Sequence, residues 1–345
     1  MKPLSIYIHI PFCEKKCAYC DFVSFDNSAD RVEQYIDVLC AEILRESECI
    51  SQAQTIFLGG GTPSTLTNEQ MSRIFELLPK ATEITIEANP NSITADKLKH
   101  WLSLGINRIS IGVQSFDLHV LEALGRIHTT EQATDAIKLA HECGFRNISI
   151  DLIHSVTIAP IIIPDEVFDY ITHISAYCLI IEPNTKFADR QPIDDDESVK
   201  QQTQIEHILK KHGFVKYEVS NFARAGYECR HNLAYWQPLT HEYIGFGLGA
   251  HSLLNNTRYM NTSDFDYYLM SPSRADCKPS LIDREVENIM LGLRTTRGVD
   301  AKYLQHKSAE IEFLKNLKLI KVVKNRVIAT QRGFLVLNSI IEKLV

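Results

Sequence analysis

This 345-residue sequence predicts an α/β fold: a partial (β/α)6 barrel of the TIM type, followed by an α+β, winged-helix-like C-terminal region. Three observations carry that reading. Short apolar strands alternate with helical stretches through the first half, which implies parallel β/α units with right-handed crossovers. Six such units precede residue 190, and the further two that a closed eight-stranded barrel needs are not found after it. Polar and glycine punctuation falls where strands end, at Cys13, Cys17 and Cys20, at 59–62, and at Glu87, Gln114 and Asp151. That is the end of a barrel that carries chemistry.

The elements follow in order. Ser5–Ile10 reads as the first strand. Asp30 is placed to cap a helix whose apolar residues, Val32, Tyr35, Ile36, Leu39, Ile43 and Leu44, recur at helical intervals. Gln54–Leu58 is the second strand and runs into Gly59-Gly60-Gly61. Asn68–Leu78 is a helix. Glu83–Glu87, Asn107–Gly112 and Asn147–Ile153 are the next strands, with helices at Thr94–Leu104 and up to about Glu142 between them. Residues 165–172 read as helical and His173–Ile181 as the sixth strand. The acidic run Asp194–Glu197 reads as a solvated helix start, Gln201–His212 as a helix and Val215–Val219 as a short strand. A polar and aromatic loop then runs to Tyr243–Ala250. From about Leu281 the chain is mainly helical, and it closes with a β-wing-like stretch, Ile320–Ile328, and a helix, Gly333–Leu344. The implied organisation is a barrel over 1–190, a connecting region over 191–280, and the winged-helix-like module over 281–345.

Hydrophobic residues make up 45% and charged residues 23%, the ordinary globular mixture, which excludes a disordered tail, a collagen-like chain and a disulfide miniprotein. The formal charge of −7 gives no general electrostatic reason to coat nucleic acid, and no nucleic-acid partner is expected. No stretch approaches the ~18 apolar residues of a membrane span. The N-terminus reads as a strand in place of a signal peptide, so a cytoplasmic location is expected. Of nine cysteines, three lie within eight residues; Cys40, Cys49, Cys143, Cys178, Cys229 and Cys277 are scattered and read as small hydrophobes. In a reducing compartment the tight cluster points to metal binding or catalysis.

Cys13-x3-Cys17-x2-Cys20 supplies three thiolates from one loop. A structural zinc site wants four ligands. Three soft thiolates fit a [4Fe–4S] cluster with one iron left open; on spacing alone, zinc with a distant fourth ligand stays open. Gly60 and Gly61 let backbone come close to a ligand. The 59–62 segment lacks the Lys-Ser/Thr of a phosphate loop. Asp151, between Ile150 and Leu152, is a carboxylate in an apolar strand and needs a partner.

On these residues the chain resembles the radical S-adenosylmethionine (SAM) proteins, whose Cys-x3-Cys-x2-Cys loop holds a cluster that binds the amino and carboxylate groups of SAM. Tyr7-Ile8-His9-Ile10-Pro11-Phe12-Cys13, Gly59-Gly60-Gly61-Thr62-Pro63-Ser64, Glu87-Ala88-Asn89-Pro90, Gly112-Val113-Gln114-Ser115-Phe116 and Gly125-Arg126-Ile127-His128 are similar to the oxygen-independent coproporphyrinogen III oxidase subfamily. The likeness covers nearly the whole chain. It implies the cluster on Cys13, Cys17 and Cys20. It implies the SAM amino group at the Gly60, Gly61 and Thr62 motif. Glu87 would meet the ammonium and Arg126 the carboxylate. Gln114 and Asp151 would meet the ribose hydroxyls, with Tyr7 and Tyr19 as aromatic neighbours.

Two branches of that subfamily differ. The oxidase carries a fourth cysteine two residues past the third, and an N-terminal extension; here Phe22 stands at that position and the first cluster cysteine is residue 13. His231-Asn232-Leu233-Ala234-Tyr235-Trp236 is similar to the His-Asn-x-x-Tyr-Trp marker of the heme-chaperone branch. So are Cys229-Arg230, Gly249-Ala250-His251-Ser252, and Glu287 to Arg294 with Gly298-Val299-Asp300. That branch implies heme at His231, Asn232, Tyr235 and Trp236, with Arg230 toward a propionate. It also implies a heme-acceptor protein, membrane-associated, as partner, and leaves a homodimer open. From chemistry alone, His231 and Asn232 form a hydrogen-bonded turn with Trp236 as a core anchor, and His251, His9 and Cys229 stand as alternative ligands. The competing activities are the oxidase's radical decarboxylation and radical SAM chemistry on another substrate. One segment departs from relatives: Asp151-Leu152-Ile153 continues as His154-Ser155-Val156-Thr157-Ile158-Ala159-Pro160, without the expected Tyr-Gly-Leu-Pro-Gly. A different barrel mouth near SAM is expected there.

Overall fold

The computed structural model describes residues 2–26, 28–270, 274–276 and 284–345. Cys277, Leu281 and the expected 280/281 boundary lie outside the described residues. Six strands form the parallel core: β1 (Leu4–Ile10), β2 (Thr55–Gly60), β3 (Glu83–Ala88), β4 (Arg108–Gln114), β5 (Asn147–His154) and β6 (His173–Cys178). They pair in sequence order, with helices in the crossovers. The α/β partial barrel expected from the sequence is therefore the observed core.

Each of these strands alternates. Ile6, Ile8, Ile56, Ile86, Ile109, Ile111, Ile148, Ile150 and Ile174 point outward into one hydrophobic core under the helices, all with no exposed surface. The opposite face carries Tyr7, Glu87, Arg108, Ser110, Asp151 and Ser175, which line an internal cavity. Successive side chains of a strand point to opposite faces. A parallel sheet covered on both sides reads as a continuous apolar run; this one alternates because its inner face surrounds a polar space.

The sheet extends beyond six strands at both edges. On one side β9 (Glu242–Phe246) runs parallel to β1, and β10 (His251–Leu254), β11 (Thr257–Asn261) and β12 (Arg274–Asp276) follow antiparallel. The expected loop ending in Tyr243–Ala250 is thus corrected to a strand and a turn. Gly245 hid it: a Cβ there would sit 2.4 Å from the His251 carbonyl oxygen, so the position that breaks the strand pattern is where two backbones meet. On the other side β8 (Asn221–Ala223) runs antiparallel to β6, with β7 (Val215–Lys216) outside it. The expected strand Val215–Val219 is shorter, and the sixth strand ends at Cys178 in place of Ile181.

Helix starts follow side-chain caps. Thr67 and Thr129 make capping boxes with Gln70 and Gln132, and Thr94 and Asp117 cap their own helices. Asp30 does not cap: the helix Val32–Arg45 has no side-chain cap bond. Residues 165–172 contain only a short 3-10 turn, Asp165–Asp169, after Pro164. Asp194 caps a longer helix than expected, Asp195–Lys211, and places Asp195, Asp196 and Glu197 in the first turn, where the helix dipole favours acidic groups.

A second core joins Ile289, Leu293, Val299, Leu304, Leu314, Ile320, Val327, Leu337, Ile340 and Leu344. Helices Arg284–Gly292, Ser308–Asn316 and Leu337–Leu344 supply it, with a three-stranded sheet of β13 (Val299–Asp300), β14 (Ile320–Val323) and β15 (Arg326–Ala329). Lys324 and Asn325 both have positive φ, as a tight hairpin turn requires, so the wing-like stretch is a β14–β15 hairpin. The expected final helix is two, Gln331–Phe334 and Leu337–Leu344.

Buried Tyr35 ties the C-terminal ends of the neighbouring strands β1 and β9 together. Its hydroxyl donates to the His9 carbonyl at 2.7 Å and accepts from the Leu248 amide at 3.0 Å. Tyr35→Phe leaves a buried carbonyl and amide unpaired and is expected to cost about 1–3 kcal/mol. The urea unfolding midpoint measures it; an unchanged midpoint contradicts the assignment.

Candidate functional site

One cavity of about 680 Å³ runs through the barrel, and every predicted site residue except Trp236 lines it. At its mouth is the loop after β1. The Phe25 amide donates to Pro11 O at 2.7 Å and the Cys13 amide to Phe25 O at 2.9 Å, closing the loop on itself. The Lys16 ammonium reaches the carbonyls of Phe22 and Ser24. Cys13, Cys17 and Cys20 are half-buried on this frame. Burial pushes the thiols of Cys13 and Cys20 up. Thr62 donates to Cys13 Sγ at 3.5 Å and Arg126 to Cys17 Sγ at 3.3 Å. Among the described residues no three His, Cys, Asp or Glu side chains are gathered closely enough for a single metal ion. Three thiols around a wider space are the donor set of a multi-iron cluster with one open position.

Beside the cysteines lies the glycine run. Gly60 has φ +112°, and a Cβ there would lie 2.5 Å from the His9 ring. A Cβ on Gly61 would lie 2.8 Å from Phe12 O and 2.9 Å from Ile10 O. Only glycine fits either cradle. His9 itself is pinned between Tyr7 Oη at 3.0 Å and Val23 O at 2.7 Å, and burial lowers its pKa to about 4. As a heme-ligand alternative it has both nitrogens engaged.

Two carboxyls and a guanidinium follow. Glu87 accepts from the Gly60 amide at 3.2 Å. Burial, then the charge of Asp151, raises its pKa to about 8. Asp151 accepts from the Ser110 hydroxyl at 3.3 Å, and burial raises its pKa as well. Arg126 is held by Asn89 Oδ1 at 2.6 Å and Gly112 O at 2.8 Å, while its buried Nε has no partner. Gln114 sits at a β-bulge with φ +66°. These groups suit an ammonium and a carboxylate of one small ligand beside the cysteines.

At the other end, the His-Asn-x-x-Tyr-Trp segment closes the barrel floor. Its residues form the short helix Arg230–Tyr235. Glu83, the first residue of β3, takes the helix's free donors: the Arg230 and His231 amides at 3.0 Å and Cys229 Sγ at 3.6 Å. His231 is 0% exposed and stacks on Phe57. Its Nδ1 bonds Thr55 Oγ1 and its Nε2 bonds Tyr235 Oη, each at 2.9 Å. Burial, then the charge of Arg108, lowers its pKa to about 3, so the imidazole is neutral. Asn232 and Tyr235 line the cavity; Trp236 lies off it, half-buried, with Nε1 unpartnered. Cys229 is buried, its thiol pushed up to about 12, while Arg230 and His251 are exposed.

The divergent 154–160 segment is anchored by Gln201. This buried side chain accepts from the Ser155 amide at 2.7 Å and donates to the carbonyls of Thr157 at 2.7 Å and Ala159 at 2.8 Å. Sequence reasoning missed Glu83, Arg108, Ser110 and Gln201. The first three were visible in principle: each starts or continues an alternation of polar and isoleucine residues.

The radical SAM superfamily model matches residues 7–174. A protein of Lactococcus lactis named heme chaperone HemW is 33% identical, across 99% of this chain and 97% of its own length. A protein of Escherichia coli with the same name is 39% identical, across 73% of this chain and 70% of its own. The solved structure of E. coli coproporphyrinogen III oxidase (HemN), described as a radical SAM enzyme, matches with a TM-score of 0.81 at 22% identity, over 99% of this chain and 90% of that one. The last likeness is one of fold.

Glu87 makes the cofactor-free site sensitive to pH. Its carboxyl ionises near pH 4–5 in the unfolded chain and near 8 in the folded one. Folding therefore suffers no penalty from it below the unfolded value, and a growing one as pH rises toward 8. Glu87→Gln is expected to raise the melting temperature of the cofactor-free protein at pH 8 and to leave it near wild type at pH 5. A variant no more stable than wild type at pH 8 contradicts this.

Proposed function

The chain belongs to the HemW heme-chaperone family of the radical SAM superfamily, and from that premise we propose that it holds a [4Fe–4S] cluster and SAM, binds heme as cargo, and hands it to an acceptor protein. The observation that carries this reading is the shared cavity: three cysteine thiols stand at one end and the His-Asn-x-x-Tyr-Trp segment at the other. Phe22, 67% exposed, stands where the oxidase has its fourth cysteine, which favours the chaperone over the decarboxylase.

Cys13, Cys17 and Cys20 hold the cluster in this proposal. Bound together, cluster and SAM supply one-electron chemistry. Glu87 gives up its proton to face the SAM ammonium, and Arg126 offers its unpartnered Nε edge to the carboxylate. Gly60, Gly61 and Thr62 shape the wall, Gln114 and Asp151 take hydroxyls, and Tyr7 and Tyr19 flank the ligand. Heme engages His231, Asn232, Tyr235 and Trp236. The neutral His231 needs to lose no proton to bind iron, but one ring nitrogen must first be freed, Nε2 from Tyr235 Oη or Nδ1 from Thr55 Oγ1. Heme loading thus opens a segment that otherwise seals the floor. The acceptor is membrane-associated and delivery takes place in the cytoplasm; no helix among the described residues is long and apolar enough to cross a membrane.

An anaerobic hemin titration of cluster-loaded wild type beside His231→Ala tests this. Wild type is expected to give a stoichiometric Soret shift that the variant loses or changes. Identical spectra move the ligand away from His231, and no binding by wild type overturns the cargo reading.

A further inference from the structure

Arg108 begins β4, is 1% exposed, and borders the same cavity. Glu83, Glu87 and Asp151 lie within electrostatic reach of it. Among the described residues none of the three accepts a hydrogen bond from it. Glu83 holds the Arg230 and His231 amides, Glu87 the Gly60 amide, and Asp151 the Ser110 hydroxyl. Arg108 Nε is buried with no partner. A buried guanidinium is costly unless its donors are satisfied, and a buried unpaired donor that borders a cavity calls for a partner.

We propose that Arg108 recognises a carboxylate of a ligand bound in this cavity, at a position separate from Arg126. A planar guanidinium fork matches a carboxylate, with two parallel bonds. The charge of Arg108 is felt by His231, so the group stands close to the segment proposed for heme. Arg230, the sequence's own candidate for a propionate, is exposed. The inference rests on the cofactor and cargo reading above, which supplies heme propionates as the carboxylate source; the amino-acid end of SAM, assigned there to Arg126, is the competing outcome of the test.

The test uses four probes on cluster-loaded protein: hemin, hemin dimethyl ester, SAM and decarboxylated SAM. Affinities are measured for wild type, Arg108→Gln and Arg108→Lys. Both variants are expected to bind one acid probe about 10- to 100-fold more weakly, and its carboxylate-free counterpart as wild type does. A split in the hemin pair assigns the propionate; a split in the SAM pair assigns the SAM carboxylate. Should Arg108→Gln not fold, Arg108→Lys, which keeps the charge and loses the fork, and the acid-to-ester comparison in wild type decide. Variants that bind all four probes as wild type does overturn the inference and leave Arg108 a charge balance. Wild type that binds neither hemin nor SAM removes the underlying reading, and the inference falls with it.

Discussion

The carboxylate of Glu83 is the constraint on which the barrel depends. It sits at the first residue of a core strand and takes the leading amides of the helix Arg230–Tyr235. That bond set presses His231 onto Phe57 and Thr55, and Tyr235 against Tyr243. The floor is thereby closed. A barrel lined with apolar side chains would close by packing alone. This one is lined by Tyr7, Glu87, Arg108, Ser110, Asp151 and Ser175, and the hydrogen bonds of Glu83 and His231 hold the segment that closes its floor.

Burial sets the electrostatics of the space above the floor. Burial keeps His9, His231 and His173 neutral and pushes Glu87 and Asp151 toward their protonated forms. Arg108 and Arg126 stay charged. The ligand-free cavity therefore has less negative charge around Glu87 and Asp151 than two carboxylates would give, with Asp21 and Glu182 also in its walls. It is poised to accept anionic groups, and a cationic group beside Glu87 would draw the proton off that acid.

The sequence made the outer half of this molecule readable. Ile6, Ile8, Ile109 and Ile111 mark strands because they must meet helices, and Cys13 to Cys20, 59–62 and Glu87 mark strand ends because cysteine, glycine and acidic residues interrupt the apolar pattern there. The inner half was harder. Glu83 and Arg108 occur at strand starts, where polar residues read as solvated ends; what buries them is a helix more than a hundred residues later. Strand β9 was lost for a similar reason. Gly245 breaks the local pattern, and Ile244 and Phe246 become strand residues only once β1 lies beside them. Gln201 replaces a glycine-rich turn through contacts that no local periodicity reveals. The His231 segment showed its marker plainly but not its state: both ring nitrogens are already engaged.

In the closed floor both ring nitrogens of His231 are hydrogen-bonded, to Thr55 and Tyr235, and a heme-ligating His231 gives up one of those bonds, so the two states of residues 229–236 exclude each other. Hydrogen–deuterium exchange of the cluster-loaded protein, with and without one equivalent of hemin, reads that exclusion directly. The Arg230 and His231 amides, held by Glu83 in the closed state, are expected to lose protection when heme binds. A one-to-one heme complex in which these amides stay as protected as before contradicts the exchange and places heme elsewhere on the molecule.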